Sequence, residues 1–165
     1  AIPYDDASFD AVIANHMLYH VPELDTALAE IKRVLKPGGA LYATTIGQEN
    51  MREFWALLMP LVAEKTRRLD QQDITNRFSL ESGASRLAQW FLDVQIRRHA
   101  DALAVTEVEP LVAYAQSLAT GDEPILAGKR LEQFRAQVAE QITRHGAFHI
   151  TKDSGMFAAR NEGIA

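Results

Sequence analysis

The stretch FDAVIANHMLYHVPELDTALAEIKRVLKPGG, Phe9 to Gly39, decides the fold. Phe9 to Asn15 is a short apolar run whose Val12 and Ile13 suit a strand buried on both faces of a parallel sheet. Pro22 then precedes a helical pattern. Leu24, Leu28, Ile31 and Leu35 recur at helical spacing, and Lys32, Arg33 and Lys36 gather where positive charge meets the helix dipole favourably. Pro37 and Gly38 stop that helix. Leu41 to Ile46, with Tyr42, Thr44 and Thr45, reads as a second strand. Residues Phe9 to Ile46 are therefore expected to form a strand, a crossover helix and a parallel strand, connected right-handed.

The pattern beyond this unit is mostly helical. Met51, Phe54, Trp55, Leu58 and Val62 mark the apolar face of a helix that Pro60 bends or divides, because proline cannot donate the backbone hydrogen bond. Ser79 is expected to cap a helix over LESGASRLAQWF. Val94 and Ile96, then Leu103 and Val105, suggest a short strand and its continuation. Glu107 to Leu118 reads as a helix, and Leu131, Phe134, Val138 and Ile142 stripe another that ends near Gly146. Phe148, Ile150 and Met156 to Ala159 are expected to make a closing hairpin or bulged strand around Asp153, Ser154 and Gly155. With no internal repeat and no low-complexity linker, one domain is expected over residues 1–165, with helical cap segments at 48–69 and 107–145.

Composition narrows the class of function. A chain of 165 residues, 47% hydrophobic and 24% charged, is ordinary for a soluble globular domain, so disordered and fibrous classes drop out. The longest nearly apolar run, Phe54 to Ala63, contains Pro60 and falls far short of the roughly 20 residues that span a bilayer, so no membrane span is expected. The net charge of −5 repels a phosphate backbone, and Lys65, Arg67 and Arg68, like Arg97 and Arg98, read as small solvated clusters; nucleic acid is not the expected partner. The opening AIPYDD lacks the regions of a signal peptide, and without cysteine there is no disulfide framework, which points to the cytoplasm. Opening on Ala rather than Met, the chain reads as an excised or processed piece.

His16 and His20 stand four apart, a spacing that on a helix would turn two imidazoles to one metal. Pro22 limits any helix there and no third ligand is evident, so no metal is expected. None of the nine glycines forms a GxG pair, which leaves neither a dinucleotide fingerprint nor a P-loop. Ser79, Ser82 and Ser85 lack a nucleophile-elbow setting, and hydrolase chemistry is not indicated.

Three linked motifs carry a family resemblance: IPYDDASFD at residues 2–10, ANHMLYHV at 14–21 and LAEIKRVLKPGGALYATT at 28–45. Together they resemble class I S-adenosylmethionine-dependent methyltransferases of the small-molecule type. GQENMREFWALL and FSLESGASRLAQWF resemble helices that follow in one subgroup, so the similarity covers most of Ile2 to Phe91. The resemblance implies an α/β fold, the C-terminal part of a Rossmann-like sheet, with parallel strands, an antiparallel end strand and helices on both faces. It also implies transfer of the sulfonium methyl group of S-adenosylmethionine to a small-molecule acceptor by direct displacement. Ligands of such sheets bind outside the carboxyl ends of the strands. Ala14, Asn15 and His16 would there line the methionine side of the cofactor, with Ile2 and Pro3 near its adenine ring.

The family's Gly-rich cofactor loop and ribose-binding acid are not found in this sequence, so the chain alone is expected to bind S-adenosylmethionine weakly or not at all, and to be inactive. Two readings stand for His20, a general base toward the acceptor or a structural imidazole packed under the next helix. Tyr19 either helps to close the substrate pocket or is an ordinary amphipathic surface residue. A reading from another class makes the chain a non-catalytic remnant or self-association module. Phe9 to Asn15 would then be an exposed apolar edge that a second copy covers in a two-fold homodimer.

Overall fold

β1 (Phe9–Asn15) and β2 (Leu35–Ile46) pair in parallel, with α1 (Leu24–Val34) between them in the chain, so the strand, helix and strand read from residues 9–46 are present. The structure is a computed structural model and describes residues 1–62, 77–119 and 122–162. Lys65, Arg67 and Arg68 lie outside the described residues, as does the 63–69 part of the first expected cap segment.

Helix α1 buries Leu24, Leu28 and Ile31 in a cluster with Ala14, Leu41 and Ala43 of the two strands. Leu35, expected as the last residue of the helical stripe, is already extended at φ −76° and ψ 134°, and it is buried as the first residue of β2. The helix gives way just ahead of Pro37, whose ring disfavours helical backbone in the residue before it. Gly38 adopts φ +77°, a left-handed turn that costs glycine no steric clash, and the β1–β2 register shifts between Phe9 and Ala11. Asn161 locks this junction. Its buried carboxamide donates to the carbonyls of Lys32 (3.2 Å), Leu35 (2.9 Å) and Lys36 (3.2 Å), while its backbone exchanges hydrogen bonds with Gly38 and Gly39.

The N-terminal segment is tied to α1 by one ion-pair cluster. The Arg33 guanidinium donates to Glu30, to Asp6 and to the carbonyls of Ile2 and Tyr4, and the Ile2 N–H donates to Glu30 Oε2 at 2.8 Å. Arg33 first, then the Ile2 N–H, hold the Glu30 carboxyl at a pKa of about 2.

Two further strands, β3 (Leu92–Val105) and β4 (Phe148–Arg160), complete a mixed four-stranded sheet in the order β1-β2-β4-β3. The antiparallel strand is β4, last in the chain, and it lies inside the sheet against β2. The helices are α2 (Arg52–Leu58), α3 (Gly83–Leu87), α4 (Val108–Ser117) and α5 (Lys129–His145). The described residues fall into two compact units, 1–50 with 77–100 and 153–162, and 51–62 with 101–119 and 122–152. Each has its own core. The first gathers Leu28, Leu41, Phe78, Leu87 and Phe157, and the second Phe54, Leu58, Phe134, Val138 and Ile150.

Of the two forms expected around Asp153, Ser154 and Gly155, a hairpin or a bulged strand, the strand is present: β4 runs through them without interruption and pairs Ile46 with Ser154 and Thr45 with Gly155. Their composition serves close packing instead: a Cβ on Gly155 would stand 2.7 Å from the Arg97 carbonyl oxygen and 2.8 Å from a Leu80 methyl. Ser79 does not immediately precede α3 but sits one turn upstream, its buried hydroxyl accepting the N–H groups of Glu81 and Ser82 at 3.3 Å each. The strand read at Val94 and Ile96 and its continuation at Leu103 and Val105 form one strand of 14 residues.

If Gly155 is there for close approach, Gly155→Ala must push backbone against backbone and should cost about 1–3 kcal/mol, the usual penalty of overpacking. Urea denaturation checks this, and a loss below about 0.5 kcal/mol, the level of an ordinary surface change, contradicts it.

Candidate functional site

The first unit carries an open cleft of about 370 Å³ at the carboxyl ends of β1 and β2. His16 and Thr44 line it from those ends, with Arg97, Arg98 and His99 of β3 and Met156 of β4. Among the described residues its charged lining is two arginines, of which Arg98 is also paired with carboxylates.

His16 is positioned by its backbone. It follows β1 directly and takes φ +48°, a left-handed conformation uncommon for residues with a side chain. The strain is offset because its N–H is shared between the Thr44 carbonyl at 3.2 Å and the Thr44 hydroxyl oxygen at 3.0 Å. The Thr44 hydroxyl in turn donates to Asn15 Oδ1 at 3.5 Å. Parallel pairing places Asn15, the last residue of β1, opposite Thr44, two residues before β2 ends, and so holds both residues at one rim. Strain of this kind concentrates at functional sites, where surrounding structure holds it in place.

Beyond His16 the chain makes a single turn, Leu18–His20, anchored by the fully buried Leu18. This turn stacks three rings in a row. The centroids of His16 and Tyr19 are 6.4 Å apart and those of Tyr19 and His20 are 4.5 Å apart. Burial raises the pKa of the Tyr19 phenol, which keeps it protonated at neutral pH as a hydrogen-bonding group. His20 is exposed at the end of the row.

The structure thus brings Asn15, His16, Tyr19 and His20 to one end of β1, with the buried Ala14 behind them. Ile2 and Pro3 are placed elsewhere in the same unit. The backbone N–H and carbonyl of Ile2 are engaged by Glu30 and Arg33, its side chain packs on the core, and Pro3 is exposed beside it. Among the described residues no three histidine, aspartate or glutamate side chains group so that they could hold a metal.

Arg97 and Arg98, read from sequence as a solvated cluster, are both exposed, and Arg98 has carboxylate partners besides. Arg98 bridges the carboxylates of Glu81 and Asp153, the latter at 3.2 Å. Asp153 is only 7% exposed, receives the guanidinium on one side, and its N–H donates to Asn50 Oδ1 at 3.2 Å. Glu81 also accepts the Gln48 N–H at 3.2 Å, so this network fastens the segment that leaves β2. Gly47 makes room for it, because a Cβ there would stand 1.9 Å from Asp153 Oδ2. Among the described residues no carboxylate pairs with Arg97, whose charge is left to the cleft. Nothing in the spacing of an RR doublet foretells that one arginine is consumed by a buried acid while its neighbour is not.

Comparison with known proteins places this geometry. A family described as methyltransferase domain matches residues 1–43, the stretch that ends in β2. The malonyl-(acyl-carrier protein) O-methyltransferase of Halorhodospira halophila is 38% identical over 86 residues, 50% of this chain and 28% of that protein. The ubiquinone/menaquinone biosynthesis C-methyltransferase of Brucella anthropi is 53% identical over 38 residues, 23% of this chain and 14% of that protein. Matches to these curated relatives thus span less than a third of their length. A Bacillus halodurans structure solved as a candidate methyltransferase shares the fold at a TM-score of 0.57 and 14% identity, covering 98% of this chain and 74% of that one. The chain is thus similar to methyltransferases in the stretch that holds the motifs at residues 2–45, and shares their fold.

The Arg98 bridge can be tested on its own. Arg98→Ala leaves a buried carboxylate without its cation and should destabilise by about 1–3 kcal/mol. Adding Asp153→Asn removes the orphaned charge and should restore part of the loss. A double variant no more stable than Arg98→Ala, measured by thermal denaturation, would show that the bridge does not act as a pair.

Proposed function

We propose that this chain supplies the strand-end part of a cytoplasmic methyltransferase that moves the methyl group of S-adenosylmethionine to a small-molecule acceptor by direct displacement. One observation carries the reading: β1, inside the family-matched stretch, ends at Asn15 opposite Thr44 of the parallel β2, and His16 and Thr44 line the rim of an open cleft. Ligands of parallel sheets bind at such rims. The residues present fit one side of the cofactor. Asn15 offers an exposed carboxamide, Ala14 leaves room beside it, and His16 presents its imidazole to the cleft while its own N–H is satisfied by Thr44.

S-adenosylmethionine, when bound, supplies an electrophilic methyl group on a sulfonium. In this proposal Asn15 and His16 orient the methionine side and Ile2 and Pro3 belong to the adenine side. Tyr19 contacts the acceptor, and exposed His20 takes the proton that the acceptor releases. Orientation supplies most of the acceleration in such a displacement, which needs no covalent enzyme intermediate. The single partial domain over 1–165, with caps at 48–69 and 107–145, is part of the same reading; α4 and α5 fall within the second cap. Lacking a GxG loop, the 165 residues alone bind the cofactor weakly and do not turn over.

Titrating this chain with S-adenosylmethionine in an NMR experiment should give a Kd weaker than about 1 mM, equivalent to less than about 4 kcal/mol, with amide shifts at Ala14, Asn15 and His16. Micromolar binding would overturn the weak-binding part, and shifts confined to other residues would overturn the placement. In an active protein that carries these residues, His20→Ala should lower kcat by about 10²–10⁴ with cofactor affinity unchanged. Unaltered turnover assigns His20 a structural role.

A second reading, self-association, is favoured by the sheet edge. β1 ends the strand order and Ile13 is 65% exposed on it, the kind of apolar edge that another chain covers. A two-fold homodimer through β1 is the expected form, and Ile13→Lys should return it to monomer in light scattering. A wild-type monomer over the full concentration series would dismiss this reading.

A further inference from the structure

The second unit holds a cavity that the methyl-transfer reading does not use. Its volume is about 280 Å³, near the lower end of small-molecule pockets, which run from about 300 to 1,000 Å³. Leu111 and Ile150 lie at its buried floor, and Val105, Leu103 and Tyr114 continue the wall. Leu103 and Tyr114 remain 43% and 41% exposed, although both are large and apolar, so the cavity opens to water through side chains that gain by being covered. Among the described residues Lys152 is the one charged side chain lining it. Among the described residues no carboxylate lines the cavity and none pairs with Lys152.

We propose that this cavity binds a small amphiphile, a medium-chain carboxylate, with its hydrocarbon body against Leu111 and Ile150 and its head group at Lys152. The charge at the rim decides the head group. A lysine buries its aliphatic stem along apolar surface and keeps the ammonium at the water boundary, so an anion that follows an apolar chain into the cavity meets it there. Tyr114 adds a neutral phenol at the same mouth, its ring packed 5.1 Å from Phe54 and its pKa raised further by burial. All of these lining residues belong to the second unit, so the inference stands apart from the cleft around His16.

Calorimetry on this chain with octanoate, octanol and octyltrimethylammonium tests it. Octanoate should bind about three- to fivefold more tightly than octanol at low salt, the range of one partly exposed ion pair, and octyltrimethylammonium least. Lys152→Met should erase the preference for octanoate over octanol while leaving apolar binding. Val105→Trp should fill the cavity and abolish binding of both. Should that variant fail to fold by circular dichroism, Leu103→Glu serves instead, because this side chain is exposed at the mouth; it should weaken octanoate at least tenfold. No octanoate binding, equal binding of the anionic and cationic probes, or binding untouched by these variants each overturns the proposal. So does a dimer that Leu103→Glu dissolves in a protein that binds no octanoate, since the cavity would then be a contact between copies.

Discussion

Strand β2 is the constraint on which the other strands depend. It pairs in parallel with β1 on one side and antiparallel with β4 on the other, so its backbone donors and acceptors are met by neighbours on both edges. Leu41, Ala43 and Thr45 along it are fully buried, and the Thr45 hydroxyl is satisfied by the Phe78 carbonyl at 2.9 Å. A strand so enclosed has no freedom of register, because a slip of one residue would turn its apolar set to the wrong face. The positions of Asn15, of Met156 and of the cleft between β1 and β4 follow from that register.

Polar groups then hold what apolar packing leaves free. Asn161 closes the helix-to-strand junction below the sheet, and Arg98 with Asp153 and Glu81 closes the segment leaving it above. In the second unit Glu53 plays the same part toward β4. Burial alone would raise its pKa, but the hydroxyl and N–H of Thr151, at 2.7 and 2.8 Å, together with Arg52 draw it down to about 2. Each is a buried or half-buried polar group with named partners, the condition that limits the cost of burying it, although the Asn161 Oδ1 finds no partner among the described residues.

The cleft joins two kinds of residue. His16 is placed by strained backbone at the end of β1, and Arg97 by the course of a long strand that arrives from far along the chain. Their meeting gives a polar, positively charged rim beside an aromatic row. In the other unit an apolar cavity carries a single cation. The two differ in chemistry because one is built from strand ends and the other from the flank of a core.

Periodicity by itself determined the strand, helix and parallel strand of residues 9–46, the helices at 108–117 and 129–145 and the place of Gly146, since local spacing of apolar residues, proline and glycine carries that information. The motifs at 2–45 also carried the family. Tertiary structure decided between the hairpin and the strand at Asp153, Ser154 and Gly155, because turn-forming residues yield when a buried ion pair and close backbone contact reward the extended form. It alone decided that Ile2 is tethered to α1 and that Arg98 is consumed while Arg97 faces a cleft. Those outcomes depend on partners 17 to 55 residues away, Glu81 and Asp153 for Arg98, and 28 to 31 away, Glu30 and Arg33 for Ile2, and no local pattern records such partners.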